Sequence, residues 1–437
     1  MLLNKIVNLN QSKEEFSADR VACVILAGGK GTRLFPLTAH RSKPAVGFGG
    51  RYRLIDIPIS NALNSGMNDI FVISQYFSTG LNEHIKNTYS LDRMQGGNLT
   101  LLSPEERPEG MIRYSGTADA VRKNLHALTK LRFDYILILS GDQLYGMDFN
   151  KMVRFAKEKR AALTIAALPV PEEDALRLGV LNIDDEATVI DFYEKPNDPM
   201  ILNRFQLAEP FLAARDLDPG MPLFLASMGI YVFTKEALLT LLRDESGEDF
   251  GNDLIPKQMQ RGKTSVFLHG GYWEDIGTVA SFYYANIALT RTRSGPNFYD
   301  EKIPIYSYQH YLPGAYLKGT RITGSIICDG SILEAEEITN SIIGTRSVIG
   351  KGTIIRDSIL LGNESYHAGR TESAVRFRIG EECILEKAVV DENVVIGNGV
   401  RLINTKGADR YDKEGIHIRD GIIVVPSNAR IPDGFTL

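Results

Sequence analysis

Beyond residue 315 an aliphatic residue, often followed by glycine, recurs at every sixth position. Ile343-Gly344, Ile349-Gly350, Ile355 and Leu361-Gly362 form one run. Ile379-Gly380 and Leu385, a one-residue slip to Val390, then Ile396-Gly397 and Leu402 form a second. A period of six is that of a parallel β-helix, where each turn stacks its aliphatic residue on the turn beneath. A β-sandwich with chance Ile-Gly pairs would not keep so many positions in near register. Residues 363–376 interrupt the rhythm and read as a protruding loop.

The first 300 residues follow a different rule, alternating apolar runs with helical patterns. Val21–Leu26, Ile70–Ser74, Tyr135–Leu139 and Leu163–Leu168 read as buried strands bounded by Gly, Asp or Pro. Across Thr117–Leu131, Val121, Leu125 and Leu128 fall on one helical face, with Thr117 as N-cap. Strands alternating with helices imply an α/β domain with a mostly parallel sheet covered on both faces. Such sheets bind ligands in the loops beyond the strand carboxyl ends.

Composition excludes more than it identifies. A net charge of −5 argues against a general nucleic-acid binder, and 43% hydrophobic residues argue against global disorder. Cys23, Cys328 and Cys383 are far apart and make neither a disulfide framework nor a zinc site, as in a reducing compartment. Residues 1–20 carry no secretory signal, and the longest charge-free stretch, 219–234, is broken by Pro219, Gly220, Pro222 and Gly229. The expectation is a soluble cytoplasmic protein with no membrane partner.

The average conceals one segment. From Arg20 through Ile55, Arg20 included, stand seven Lys or Arg and no Asp or Glu. The strand Val21–Leu26 runs there into Ala27-Gly28-Gly29-Lys30-Gly31-Thr32-Arg33-Leu34. Glycines permit a tight turn whose N–H groups face an anion, and Arg33, Arg41, Lys43, Arg51 and Arg53 add cations. The spacing is neither a Walker A loop nor a dinucleotide fingerprint. A solvated basic surface would account for any one cation; together with the glycines they point to a triphosphate or sugar-phosphate site.

The ordered motifs Leu26–Leu34, Pro36–Thr38 and Lys43–Val46 are similar to the signature of sugar nucleotidyltransferases. Ile55–Asn61, Asn64–Gly66, Tyr114–Ala120, Ser140–Tyr145, Glu194–Pro196, Ala226–Tyr231, Asp249–Gly251 and Trp273–Thr278 resemble the ADP-glucose pyrophosphorylase (glucose-1-phosphate adenylyltransferase) family. The resemblance implies a Rossmann-like nucleotidyltransferase domain followed by a left-handed parallel β-helix. The expected layout is an extension over 1–19, a catalytic domain over 20–300, a linker over 301–314 and a regulatory, oligomer-forming β-helix over 315–437. The family reaction joins ATP to α-D-glucose 1-phosphate, giving ADP-glucose and pyrophosphate in glycogen or starch synthesis. The family also implies Mg²⁺, sugar-phosphate or phosphate effectors and a homotetramer.

Carried onto this sequence, the family's pattern gives Arg33, Lys43 and Asp142 as catalytic residues, with Asp142 and Asp275 holding Mg²⁺. Two carboxylates, waters and substrate phosphates suit that ion. Gly28, Gly29 and Thr32 belong to the triphosphate loop. Lys195 would bind the phosphate of the sugar phosphate, with Glu194, Ser227, Tyr231 and Asp249 around the hexose and Phe250 among the substrate contacts. Gly179 would lie in the sugar pocket, where a side chain would strike the hexose. Gln75, Tyr114 and Gly116 lie where the family surrounds the nucleoside or closes over substrates. Trp273, the only tryptophan, either covers the sugar or packs in the core.

Two positions depart from the pattern. His40 and Gly47 stand where many bacterial members carry the Lys and His of a sugar-bisphosphate activator site, while Gly415–Leu437 is more similar to cyanobacterial and plant members. Residues 197–225 exceed the enterobacterial length and read as a loop near the sugar pocket. A uridylyl- or thymidylyltransferase would keep the same fold. A degraded regulatory subunit is disfavoured by the presence of all five charged site residues. An acyltransferase is disfavoured because the β-helix histidines, His367 and His417, lie in the insertion and the tail.

Overall fold

The computed structural model describes residues 20–437 apart from 90–96, 105, 108, 109, 112, 214, 216, 217, 219, 292–296, 368–376 and 414. The expected extension over 1–19 and most of the loop expected over 363–376 lie outside the described residues.

The N-terminal half is built on a nine-stranded sheet. Its strands are β1 (Val21–Ala27), β2 (Asp69–Ser74), β3 (Asn98–Leu102), β4 (Tyr135–Ser140), β5 (Leu163–Pro171), β6 (Gly179–Ile183), β7 (Val189–Glu194), β8 (Leu223–Thr234) and β9 (Thr264–Leu268). The order is β7-β6-β8-β4-β1-β2-β3, with β5 pairing β8 and β9. The parallel core β4-β1-β2-β3 is continued by antiparallel β8, β6 and β7. Near-continuous aliphatic runs make β1 and β4 buried on both faces: Val24, Ile25, Ile138 and Leu139 are fully covered. Burial of each such side chain contributes about 1.5–3 kcal/mol. The loops leaving β1 and β4 emerge side by side, and Gly141 N–H donates to the Leu26 carbonyl at 3.0 Å.

Two local expectations are corrected. The helix expected over Thr117–Leu131 is two short ones, Thr117–Lys123 and Leu125–Leu128, with Gly116 at the cap position. Asn124 breaks it, its side-chain amide donating to the Ala120 carbonyl, and the Thr117 hydroxyl donates instead to Asp249 at 2.9 Å. Residues 197–225 are not simply a loop. They hold the helices Pro199–Asn203 and Glu209–Ala213, which bury Leu202 and Leu212.

The C-terminal half winds through three parallel sheets of six, five and seven strands, the seven-stranded sheet ending in an antiparallel excursion. Ile338, Ile355, Leu385 and Leu402 stack through the five-stranded face. The corner residue differs from the six-residue count. Leu360, not Leu361, stacks between Ile343 and Val390, because the turn shortens by one residue there as it does at Val390. Leu361 points outward into a core shared by the halves, with Leu34, Val46, Phe48 and Phe282 on one side and Ile342, Val389 and Val424 on the other. The helix Val279–Ala288 closes this seam, and its Tyr283 hydroxyl donates to the Asp357 carbonyl at 2.6 Å.

Candidate active site

The glycine segment leaves β1 and turns through Gly31, whose φ of 63° is the left-handed conformation that a side chain disfavours. The Thr38 hydroxyl ties the turn by donating to the Gly31 carbonyl at 2.8 Å. A short 3-10 turn, Thr32–Leu34, follows; Leu34 is buried while Gly29, Thr32 and Arg33 face solvent. A second, Lys43–Ala45, brings Lys43 back under the loop.

Lys43 is the centre of the charge arrangement. Its Nζ lies 2.7 Å from Asp142 Oδ2 and 3.7 Å from Asp275 Oδ1. Burial alone would lower the Lys43 pKa, but Asp142 and Asp275 outweigh it and hold the ammonium above its ordinary value. Burial likewise opposes ionisation of Asp142, and Lys43 overcomes it, so that carboxyl titrates below the usual range. Asp275 is pushed up by burial, with Lys43 opposing and the Asp142 charge adding to the rise. Asp142 follows β4 and accepts from the Ser140 hydroxyl. Asp275 sits on the short strand Trp273–Asp275, paired with Gln143–Tyr145. The Gly277 N–H donates to the Asp275 carbonyl at 2.8 Å, turning the chain toward the Arg33 guanidinium.

Two oxygen donors beside a lysine fit one Mg²⁺ completed by phosphates and water. Among the described residues no group of three or more His, Cys, Asp or Glu could hold a metal alone. Asp142 and Asp275 could therefore hold such an ion only with further ligands from outside the protein.

The second constellation lies toward β6, β7 and β8. Glu194 ends β7, and its Oε1 is 3.1 Å from Lys195 Nζ. Burial raises the Glu194 pKa, with Lys195 opposing. Lys195 has φ 50°, a strained turn that leaves its side chain 57% exposed toward solvent. A methyl group at Gly179 would stand 2.6 Å from Glu194 Oε2 and 2.8 Å from the Phe192 ring. The close approach at Gly179 is thus to Glu194 and Phe192, and Gly251 also closes on the same carboxylate. The Tyr231 ring packs 6.0 Å from that of Phe250; burial drives the phenol pKa upward, and Ser227 opposes by hydrogen bonding to it.

Not every expected residue turns its side chain to the cleft. Phe250 is 2% exposed, a core ring against Tyr231 and Phe233. Asp249 caps Phe250–Leu254, accepting from the N–H groups of Gly251 and Asn252, and receives the Thr117 hydroxyl. Trp273 is half-buried against the core, and its indole N–H donates to Gln143 Oε1 at 3.3 Å. Gln75 Oε1 accepts from the Tyr114 N–H at 2.9 Å, and the Gly28 α-carbon stands beside Gln75. Gly116 lies against the Glu248 backbone.

Sequence reasoning placed Ser140, Thr38, Gln143 and Gly251 within motifs but gave them no role of their own. Ser140 and Gln143 flank Asp142 and were legible as neighbours of a strand-end carboxylate. The motif Asp249–Gly251 marked Gly251, but its contact with Glu194 was hidden because it spans 57 residues of chain.

Comparison with known families adds two findings. Residues 22–292 match the nucleotidyl transferase family, and residues 310–436 match the GLGC left-handed parallel beta-helix domain. The first match covers well over half of the 437 residues. The hand of the β-helix and the order of the two parts agree with what the motifs implied.

Proposed function

This chain belongs to the nucleotidyl transferase family, and we propose that it carries the adenylyl group of ATP to α-D-glucose 1-phosphate, releasing pyrophosphate. The paired architecture supports an enzyme of the glucose-1-phosphate adenylyltransferase type. The observation that carries the reading is Lys43 set between Asp142 and Asp275, beneath a glycine loop bearing Arg33.

A phosphate oxygen of the sugar phosphate attacks the α-phosphorus of ATP. The bond from that phosphorus to the bridging oxygen breaks, and the electron pair leaves with pyrophosphate. Both partners are anions, so catalysis is mainly charge neutralisation and in-line positioning. Arg33 and Lys43 bind triphosphate oxygens and follow the charge onto the leaving pyrophosphate. Lys195 holds the attacking phosphate, with Glu194, Ser227 and Tyr231 at the sugar hydroxyls. Gly28, Gly29 and Thr32 offer backbone and hydroxyl donors to the triphosphate, and Gln75, Tyr114 and Gly116 flank the nucleoside. Asp142 and Asp275 would hold Mg²⁺, which when bound withdraws charge from the α-phosphate.

The test is a matrix of nucleoside triphosphates against sugar 1-phosphates, read by pyrophosphate release with Mg²⁺ and after chelation. Release only with ATP and glucose 1-phosphate, abolished by chelation, is the expected outcome. Equal or faster release with UTP or dTTP would replace the adenylyl assignment. The same assay with phosphate esters added tests the effectors the family implies, and light scattering tests the homotetramer.

A further inference from the structure

The segment that carries Lys43 is gripped from the β-helix. Arg41, two residues earlier, places Nη2 3.0 Å from Asp391 Oδ1 and Nη1 3.3 Å from Glu392 Oε2. The three side chains are only 14%, 1% and 15% exposed. Arg53, paired with Gly47 across a two-stranded ribbon, donates to the Ala45 carbonyl. Its other nitrogen stands 3.6 Å from Glu364 and 3.9 Å from Glu392. Leu37 and Val46 bracket the segment and pack into the core shared with Leu361, Val389 and Val424.

The anchoring carboxylates stand on rigid ground. Asp391 directly follows Val390, whose strand is paired on both sides, with Leu360 and with Val425. The Asp391 N–H donates to the Val425 carbonyl at 3.0 Å. A buried ion pair adds little net stability, because removing both charges from water offsets their attraction. What such a pair supplies is geometry: each partner is costly to leave unpaired, so the loop has one low-energy place to sit. Mere docking of the two halves is already provided by the apolar seam.

We propose that Asp391 and Glu392 are positioning residues for the transfer reaction, setting through Arg41 where Lys43 stands between Asp142 and Asp275. The inference rests on the reading of Lys43 as a ligand of the triphosphate. The β-helix is then part of what aims the catalytic cation, and the two carboxylates act without touching substrate.

The test combines amide hydrogen exchange with steady-state kinetics on the full-length chain. Glu392→Gln should speed exchange of residues 41–46 by about tenfold, leaving residues 21–27 unchanged. It should lower kcat by roughly tenfold, with KM for either substrate within about twofold. Glu392→Asp should return most of kcat. Asp391→Asn is the harsher variant; should it fail to fold, Glu392→Gln, at the less buried of the two carboxylates, decides the matter. Unchanged exchange over 41–46, or faster exchange there with wild-type kcat, would overturn the proposal. So would a fall in kcat accompanied by faster exchange throughout the chain, the sign of general loosening. A wild-type protein without transfer activity would sink the reading of Lys43, while the exchange measurement would still decide whether the carboxylates hold the segment.

Discussion

The two halves of this molecule treat charge in opposite ways. Around the cleft, Lys43, Asp142 and Asp275 are drawn largely out of water, and each carboxylate is a neighbour the others must tolerate. On the β-helix away from the seam that holds Asp391 and Glu392, charges lie outside and pair across successive coils, as Arg321 with Glu337 and Glu337 with Arg356. The coil interior is aliphatic, and its buried hydroxyls are satisfied: Ser341 donates to the Thr339 carbonyl and Thr353 to that of Gly380. The first arrangement stores unsatisfied affinity for a ligand. In the second, the energy lies in stacking.

The largest test of that contrast is Asp142→Asn. It removes one unit of charge from the buried trio and should lower kcat by roughly 10³-fold or more, as when electrostatic and metal-based stabilisation is lost. Its thermal midpoint should fall as well, because the buried Lys43 ammonium loses its nearest carboxylate and keeps only Asp275 at 3.7 Å. Turnover near wild type, read by pyrophosphate release, would end the metal role. The mirror experiment is Ile355→Ala. Ile355 is fully buried between Ile338 and Leu385, and the change should cost about 2–5 kcal/mol in urea unfolding while both KM values hold. A shift of substrate KM without loss of stability would break the division of labour drawn here.

Lys195→Ala should act within the cleft yet differ from Asp142→Asn. Its exposed ammonium reaches toward a ground-state phosphate, so KM for the sugar phosphate should rise roughly 10-fold with kcat little altered. A rise confined to the ATP KM would reassign the residue. The distinction separates groups that bind from groups that meet charge developing in the transition state.

How far the sequence revealed this contrast depends on the range of the interaction. The six-residue rhythm and the strand-end Asp142 are local patterns, and both were legible. The corner at Leu360 was not, because whether a turn takes five or six residues depends on the coil stacked beneath it. The cap at Asp249 hides in the same way: Thr117 looks like an N-cap until a segment 132 residues later offers its carboxylate. Glu392 is the extreme case. It stands 351 residues beyond Arg41, in a coil whose local pattern says only that it is a polar corner. Net charge pointed the same way, since it averaged an acid-free segment with the acidic coil that neutralises it.

The smallest expected effect falls on the outer ladder. Arg356 donates to Glu337 at 2.8 Å, the best-formed of these exposed pairs. Held in water, such a pair gains little beyond the entropy lost in fixing two long side chains, and salt screens it. Arg356→Ala should therefore move the thermal midpoint by no more than roughly 2 °C, less at high salt, with kcat and both KM values unchanged. A large fall in midpoint would mean that the coils are held by their ladder as well as by their stacked aliphatics. The β-helix would then resemble the cleft more closely, with charge structural in one half and chemical in the other.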